Sequence, residues 1–164
     1  MEQYNINDLY IYKTYQLYRK DYLDILKNDL NKYRNYRIGV KLVRGAYYNE
    51  DKKHNILFDN IQDSHNNYNK GIEYFINYHK KHDKLLCATH NKTSTEIASS
   101  YIDKYNLSNI EFAQLLGMSD SMSKNLAEKY NVYKYLPYGD FKDTLPYLIR
   151  RLYENYPMLM NIFK

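Results

Sequence analysis

Tryptophan is absent from this 164-residue chain, cysteine occurs once, proline three times and glycine five times. A single cysteine, Cys87, excludes an internal disulfide framework and suits a reducing compartment. Its apolar setting, Lys84-Leu85-Leu86-Cys87-Ala88, reads as a small buried hydrophobe rather than a nucleophile. There is no Gly-rich phosphate loop, no G-x-S-x-G and no paired-Cys metal spacing. No apolar run reaches the length of a membrane span, and Met1-Glu2-Gln3-Tyr4-Asn5 carries neither a signal h-region nor an Arg-rich transit pattern. No linker, internal repeat or low-complexity tail interrupts the chain, so one domain over residues 1–164 is expected.

Arginine is scarce too, at 6 against 18 lysines, whereas tyrosine reaches 22 copies and asparagine is abundant. Lys, Asn, Tyr and Ile share A/T-rich codons, so this bias weakens any inference from tyrosine or lysine number. The net charge of +5 is spread without a basic run, which argues against nucleic acid as a partner. The five histidines suggest no metal site: His79 and His82 sit at helical spacing among Lys80, Lys81 and Lys84, where a helix C-terminus explains them better.

Periodicity organises the chain. Strands are expected at 10–18, 37–44, 85–89, 110–116 and 132–136, and helices at 21–33, 68–81, 93–105, 121–130 and 144–155, with a polar loop and a short helix before residue 68. Five strand–helix units in strict alternation imply an α/β fold with a parallel sheet. Ligands in such folds bind at the carboxyl ends of the strands, where this chain keeps its least generic residues. Lys41 interrupts an apolar strand between Val40 and Leu42, as a partner of an anionic ligand or as an edge lysine reaching water. Gly45-Ala46 removes bulk at a strand end, which suits either a plain turn or close approach to a ligand. His90 reads as a satisfied loop residue or a functional one.

The last helix is the most informative. Asp143 is expected as its N-cap, Pro146 in its first turn, and Leu145, Leu148, Ile149 and Leu152 as its buried face. Tyr147, Arg150, Arg151 and Glu154 share the other face. Two adjacent arginines braced by a glutamate form a fork for a carboxylate or phosphate, against the alternative of ordinary surface ion pairs.

Six pieces in order, Thr14-Tyr15-Gln16-Leu17-Tyr18, Lys41-Leu42-Val43-Arg44-Gly45-Ala46-Tyr47, Ala88-Thr89-His90-Asn91, Phe112-Ala113-Gln114-Leu115-Leu116-Gly117-Met118, Tyr133-Lys134-Tyr135-Leu136-Pro137-Tyr138-Gly139 and Leu145 to Asn155, together resemble the proline dehydrogenase (proline oxidase) family, its eukaryotic form especially. The resemblance implies a (βα)8 TIM-type barrel that binds FAD, oxidises L-proline to 1-pyrroline-5-carboxylate and passes electrons to a membrane quinone. It implies that Arg150 and Arg151 pair with the proline carboxylate, that Glu154 holds them, and that Tyr135, Tyr147 and Leu115 pack around the pyrrolidine ring. It further implies that Gln16, Lys41, Val43, Gly45, Ala46, Tyr47, Thr89, His90 and Asn91 line the flavin.

The match starts at the family's fourth strand, so about five βα units, corresponding to strands 4–8, are expected here. Five strands leave a barrel open at 10–18 and 132–136. Two expectations follow: an enzyme completed by a second chain that supplies the other strands, or a non-catalytic remnant that acts through partner-chain association. The family's mitochondrial setting in eukaryotes and its quinone acceptor imply a reducing intracellular compartment beside a membrane.

Overall fold

The computed structural model describes residues 5, 9, 11–45 and 48–149. It forms two compact units, Met1–Lys134 and Tyr135–Lys164. One sheet contains β1 (Tyr12–Gln16), β2 (Gly39–Val43), β3 (Lys84–Ala88), β4 (Ile110–Leu115) and β5 (Val132–Tyr135), neighbouring one another in chain order. The ladders β1–β2, β2–β3 and β3–β4 are parallel. Between the strands lie α1 (Tyr22–Lys32), α2 (Tyr48–Asp51), α3 (Ile61–Tyr78), α4 (Lys92–Tyr105) and α5 (Asp120–Ala127), and α6 covers 141–149. Strand order follows chain order with no reversal, as in a barrel wall and unlike a doubly wound sheet with its switch point. The expected α/β architecture of five βα units is what the chain adopts.

Alternation assigns the two faces. Tyr15, Val40, Leu42, Leu85, Cys87 and Phe112 point one way and are fully buried under the helices. Leu26 of α1, Ile72 and Phe75 of α3, and Ala98 of α4 complete that core. Burying each large side chain contributes roughly 1.5–3 kcal/mol, so this face holds most of the stability. Cys87 belongs to it as expected, and burial pushes its thiol up to about 12.

α3 is fastened to the sheet by polar contacts as well. Asn67 Nδ2 donates to Leu17 O at 2.9 Å and the Tyr68 hydroxyl to Leu42 O at 3.2 Å, both buried. Gly71 permits this approach, since a Cβ there would stand 2.4 Å from Leu17 Cδ1. Asp29 of α1 accepts from the Tyr15 hydroxyl at 2.8 Å and pairs with Lys13.

Three local expectations are corrected. α3 begins at Ile61 rather than near 68, because Asn60 Oδ1 accepts from Gln62 N at 2.8 Å and caps it. Its polar first half reads as a loop although Ser64 and Asn67 are buried. α3 ends at Tyr78, so His79 is its C-cap, with Nδ1 2.8 Å from Ile76 O, and His82 lies beyond the helix in a turn. α6 starts at 141: Thr144 N donates to Asp140 O at 2.9 Å, which puts Asp143 inside the first turn and Pro146 past it. Leu145, Leu148 and Ile149, expected as a buried face, are 37%, 47% and 45% exposed. Leu152 lies outside the described residues.

Candidate active site

The face of the sheet turned away from the helices is polar, and its groups lose their partners step by step toward the carboxyl ends of the strands. At the amino ends, Tyr12, Gly39 and Lys84 stand in register. Here the Tyr133 hydroxyl donates to Glu111 Oε1 at 3.2 Å, and Lys84 Nζ lies 3.9 Å from the same oxygen. Burial, then the negative charge of Glu111, pushes the Tyr12 hydroxyl up to about 12. This floor satisfies itself.

One row higher, Thr14, Lys41, Leu86 and Glu111 align. Lys41 makes no ion pair among the described residues. At the top, Gln16 pairs in register with Val43, and Ala88 with Ala113. Gln16 Oε1 and, in the loop after β3, His90 Nδ1 are buried without a hydrogen-bond partner among the described residues. Natural proteins rarely leave such atoms unsatisfied, so a cluster of them at strand ends points to a ligand. Leu115 N donates to His90 Nε2 at 3.3 Å, which makes Nδ1 the protonated nitrogen of a neutral ring. Burial, then the charge of Lys134, lowers the imidazole below its ordinary range and keeps it neutral.

The loop carrying His90 is held from its helix side. Arg44 follows β2 with the outward parity of Leu42. Its Nη1 donates to Thr89 Oγ1, its Nη2 to Ser94 Oγ at 2.8 Å and its Nε to His65 Nδ1 at 3.0 Å. The guanidinium also stacks on Tyr68, 4.4 Å from the ring centroid. Gln114, almost fully buried, donates from Nε2 to Thr89 O at 3.3 Å and accepts from the Ser123 hydroxyl.

Gly45 has φ +154° and its bare Cα lies against Tyr18, where a Cβ would fall 1.3 Å from Cε1. The missing bulk is therefore already required by a neighbouring ring. A cleft of about 490 Å³ opens beside it, lined by Tyr18, Arg44, Leu57, Phe58 and Ile61 among others. None of the inner-face groups Gln16, Lys41 or His90 lines this cleft.

The structure thus brings Gln16, Lys41, Val43 and Leu115 onto the inner face and His90 to its rim. Thr89 faces the helices, and Asn91 caps α4, with Oδ1 accepting from Ser94 N at 2.9 Å. In the second unit, Tyr135 and Tyr147 meet edge to face, 6.2 Å between centroids. Ala46, Tyr47, Arg150, Arg151 and Glu154 lie outside the described residues. Sequence reasoning assigned no role to Arg44, His65, Ser94 or Gln114. Their signal was parity: Arg44 and Gln114 are polar at positions that continue the core-facing alternation. Among the described residues no group of three or more His, Cys, Asp or Glu side chains is placed to hold a metal ion.

Comparison with known proteins agrees with this geometry. Residues 1–160 match the proline dehydrogenase family. Hydroxyproline dehydrogenase of Xenopus laevis is 38% identical over 182 residues, covering 100% of this chain and 39% of the relative. Proline dehydrogenase 1, mitochondrial, of Dictyostelium discoideum is 34% identical over 172 residues, covering 93% and 30%. Among solved structures, proline utilization A from Bdellovibrio bacteriovorus, inactivated by N-propargylglycine, superposes with a TM-score of 0.83. At 24% identity, over 94% of this chain and 17% of that one, this likeness speaks for the fold alone. The chain spans about a third of the length of these curated relatives. With its family match over residues 1–160, the chain belongs to the proline dehydrogenase family.

Proposed function

We propose that this chain takes part in FAD-dependent oxidation of L-proline to 1-pyrroline-5-carboxylate, with electrons passed on to a membrane quinone. The observation that carries the reading is the pair of buried, unpartnered atoms, Gln16 Oε1 and His90 Nδ1, at the strand ends of a family member. One is an acceptor and the other a donor, with Lys41, which makes no ion pair among the described residues, one row below. Such a set fits a planar heterocycle that carries both donors and acceptors, as an isoalloxazine does. Gln16, Lys41, Val43 and His90 would hold it, with Gly45, Ala46 and Tyr47 following β2 beside it, while Thr89 and Asn91 would act through the His90 loop that they fix.

FAD, when bound, supplies the acceptor for the hydride leaving proline C5. The remaining work falls to the chain. Arg150 and Arg151 pair with the substrate carboxylate, and Glu154 keeps the two guanidinia aligned. Tyr135, Tyr147 and Leu115 pack on the pyrrolidine ring, exclude water and fix its orientation. The Lys41 cation would favour the electron-rich, reduced state of a flavin held at these strand ends. A second polypeptide chain is one source of the strands that would form the opposite wall of the barrel. The D. discoideum relative is named mitochondrial, and a quinone acceptor places the complete enzyme at a membrane surface, although no described helix is long and apolar enough to cross one.

A yellow protein whose flavin absorbance bleaches on adding L-proline is the expected result, and hydroxyproline is the comparison substrate because one relative is named for it. Arg151→Met should raise the KM for proline at least tenfold with flavin content unchanged. An unchanged KM removes the carboxylate role. The open, five-stranded sheet supports a second reading, a non-catalytic subunit that acts only through partner-chain association. Colourless protein that binds no FAD, alone or with a partner, would decide for it.

A further inference from the structure

Outside the inner face, the most unusual group in the molecule is Arg44. It is a largely buried guanidinium with no carboxylate partner among the described residues. Burial lowers its affinity for the proton; the Tyr68 ring and the neutral acceptors His65, Thr89 and Ser94 offset this in part. A buried cation without a counter-ion is expensive, and a fold does not keep one merely to fill space.

Its contacts form a closed circuit. Arg44 Nη1 donates to Thr89 Oγ1, and the same oxygen accepts from Asn91 N at 3.1 Å. Asn91 Oδ1 accepts from Ser94 N at 2.9 Å. The Ser94 hydroxyl accepts from Arg44 Nη2 at 2.8 Å and donates to Asn69 Oδ1 at 2.6 Å. The two Nη atoms of one planar group therefore hold both ends of the β3–α4 loop, and His90 is the residue enclosed between them. His90 has a single hydrogen bond of its own, to Leu115 N.

We propose that Arg44 is a positioning residue: by clamping Thr89 and Ser94 with one rigid guanidinium, it aims the His90 Nδ1–H across the inner face at the bound heterocycle. The inference rests on the functional reading above, since it supplies the reason for aiming that group. Arg44 itself touches neither substrate nor cofactor. Its outward parity puts it on the helix side of the sheet, and its effect passes through the loop. A guanidinium suits the task because its Nη donors diverge in one plane and reach two acceptors at fixed spacing. A lysine ammonium retains the charge on one atom and serves one acceptor at a time.

The test uses the full chain and the variants Arg44→Met, Arg44→Lys, Thr89→Val and the Arg44→Met/Thr89→Val double variant. Without cofactor, nitrogen-15 NMR should show the Nδ1–H tautomer of His90 in the wild type. In Arg44→Met this preference is expected to disappear, and exchange of the Asn91 amide should quicken at least tenfold, with sheet amides unchanged. With FAD added, fluorescence titration should show Kd raised about tenfold in Arg44→Met and in Thr89→Val, and no further in the double variant. Arg44→Lys should recover part of the loss. Unchanged His90 tautomer and Asn91 exchange in folded Arg44→Met would overturn the proposal, as would additive losses in the double variant. If the wild type binds no FAD, the functional reading fails by itself, and the cofactor-free arm still decides whether Arg44 aims His90.

Discussion

The two faces of one sheet obey opposite rules. On the helix side, Tyr15, Val40, Leu42, Leu85, Cys87 and Phe112 are sealed from solvent, and the buried Tyr15 and Tyr68 hydroxyls there have partners. On the inner side, Lys41 has no counter-ion and Gln16 Oε1 and His90 Nδ1 have no hydrogen bond among the described residues. Buried atoms without a partner are uncommon in folded proteins, and apart from Ser99 Oγ of α4 those among the described residues stand at the strand ends, where a ligand would complete them. The outer face is therefore where stability resides, and the inner face is where binding energy is available.

That division is open to direct attack. Phe112→Ala should destabilise the chain by about 3–5 kcal/mol, because a fully buried ring leaves a cavity that the sheet and helices do not fill. Lys41→Met, two strands away on the other face, should change stability by less than about 0.5 kcal/mol, since Lys41 makes no ion pair among the described residues. Its effect should appear in FAD affinity instead. Urea denaturation of both variants reads the first contrast and flavin titration the second. A large stability loss in Lys41→Met would erase the distinction between the faces.

A smaller effect tests whether the outer layer is independent of the site. Asn60 caps α3, a helix of the outer layer, and Asn60→Ala should lower stability by about 1 kcal/mol. FAD affinity should stay the same. A weakened affinity would show that α3 transmits strain to the strand ends, and the two faces would then be coupled.

How much of this was legible beforehand follows from the range of the interactions. Strand β2 announced itself because Val40 and Leu42 alternate with Lys41, a period-two pattern that needs no tertiary knowledge. The family motifs marked the strand ends for the same reason: they are contiguous in sequence. The Arg44 circuit was not legible. Thr89 and Ser94 lie 45 and 50 residues away, and only the folded sheet brings them to it. The polar start of α3 misled for a related reason: Ser64 and Asn67 look solvent-exposed until the loops over them are in place. Asp143 failed as a cap because Asp140 starts the helix three residues earlier, and local pattern does not choose between two nearby aspartates.

The smallest expected effect separates the faces by pH. His65, on the helix side, is held below the ordinary imidazole value near 6.5 by burial and then by the Arg44 charge. His90, at the inner rim, is lowered by burial and then by the Lys134 charge. In both cases the unfolded chain takes up a proton first as pH falls, so stability is complete above about 6.5 and declines as the pH drops through the folded-state values. Both rings are partly open to solvent, which keeps the slope shallow. Denaturation midpoints between about pH 7.5 and 5 should flatten partly in His65→Gln and partly in His90→Gln. Saturating FAD should alter the His90 contribution and leave that of His65 as it was, because only His90 has a nitrogen turned to the inner face. If FAD shifts both contributions equally, the ligand is sensed by the whole sheet rather than by one side of it.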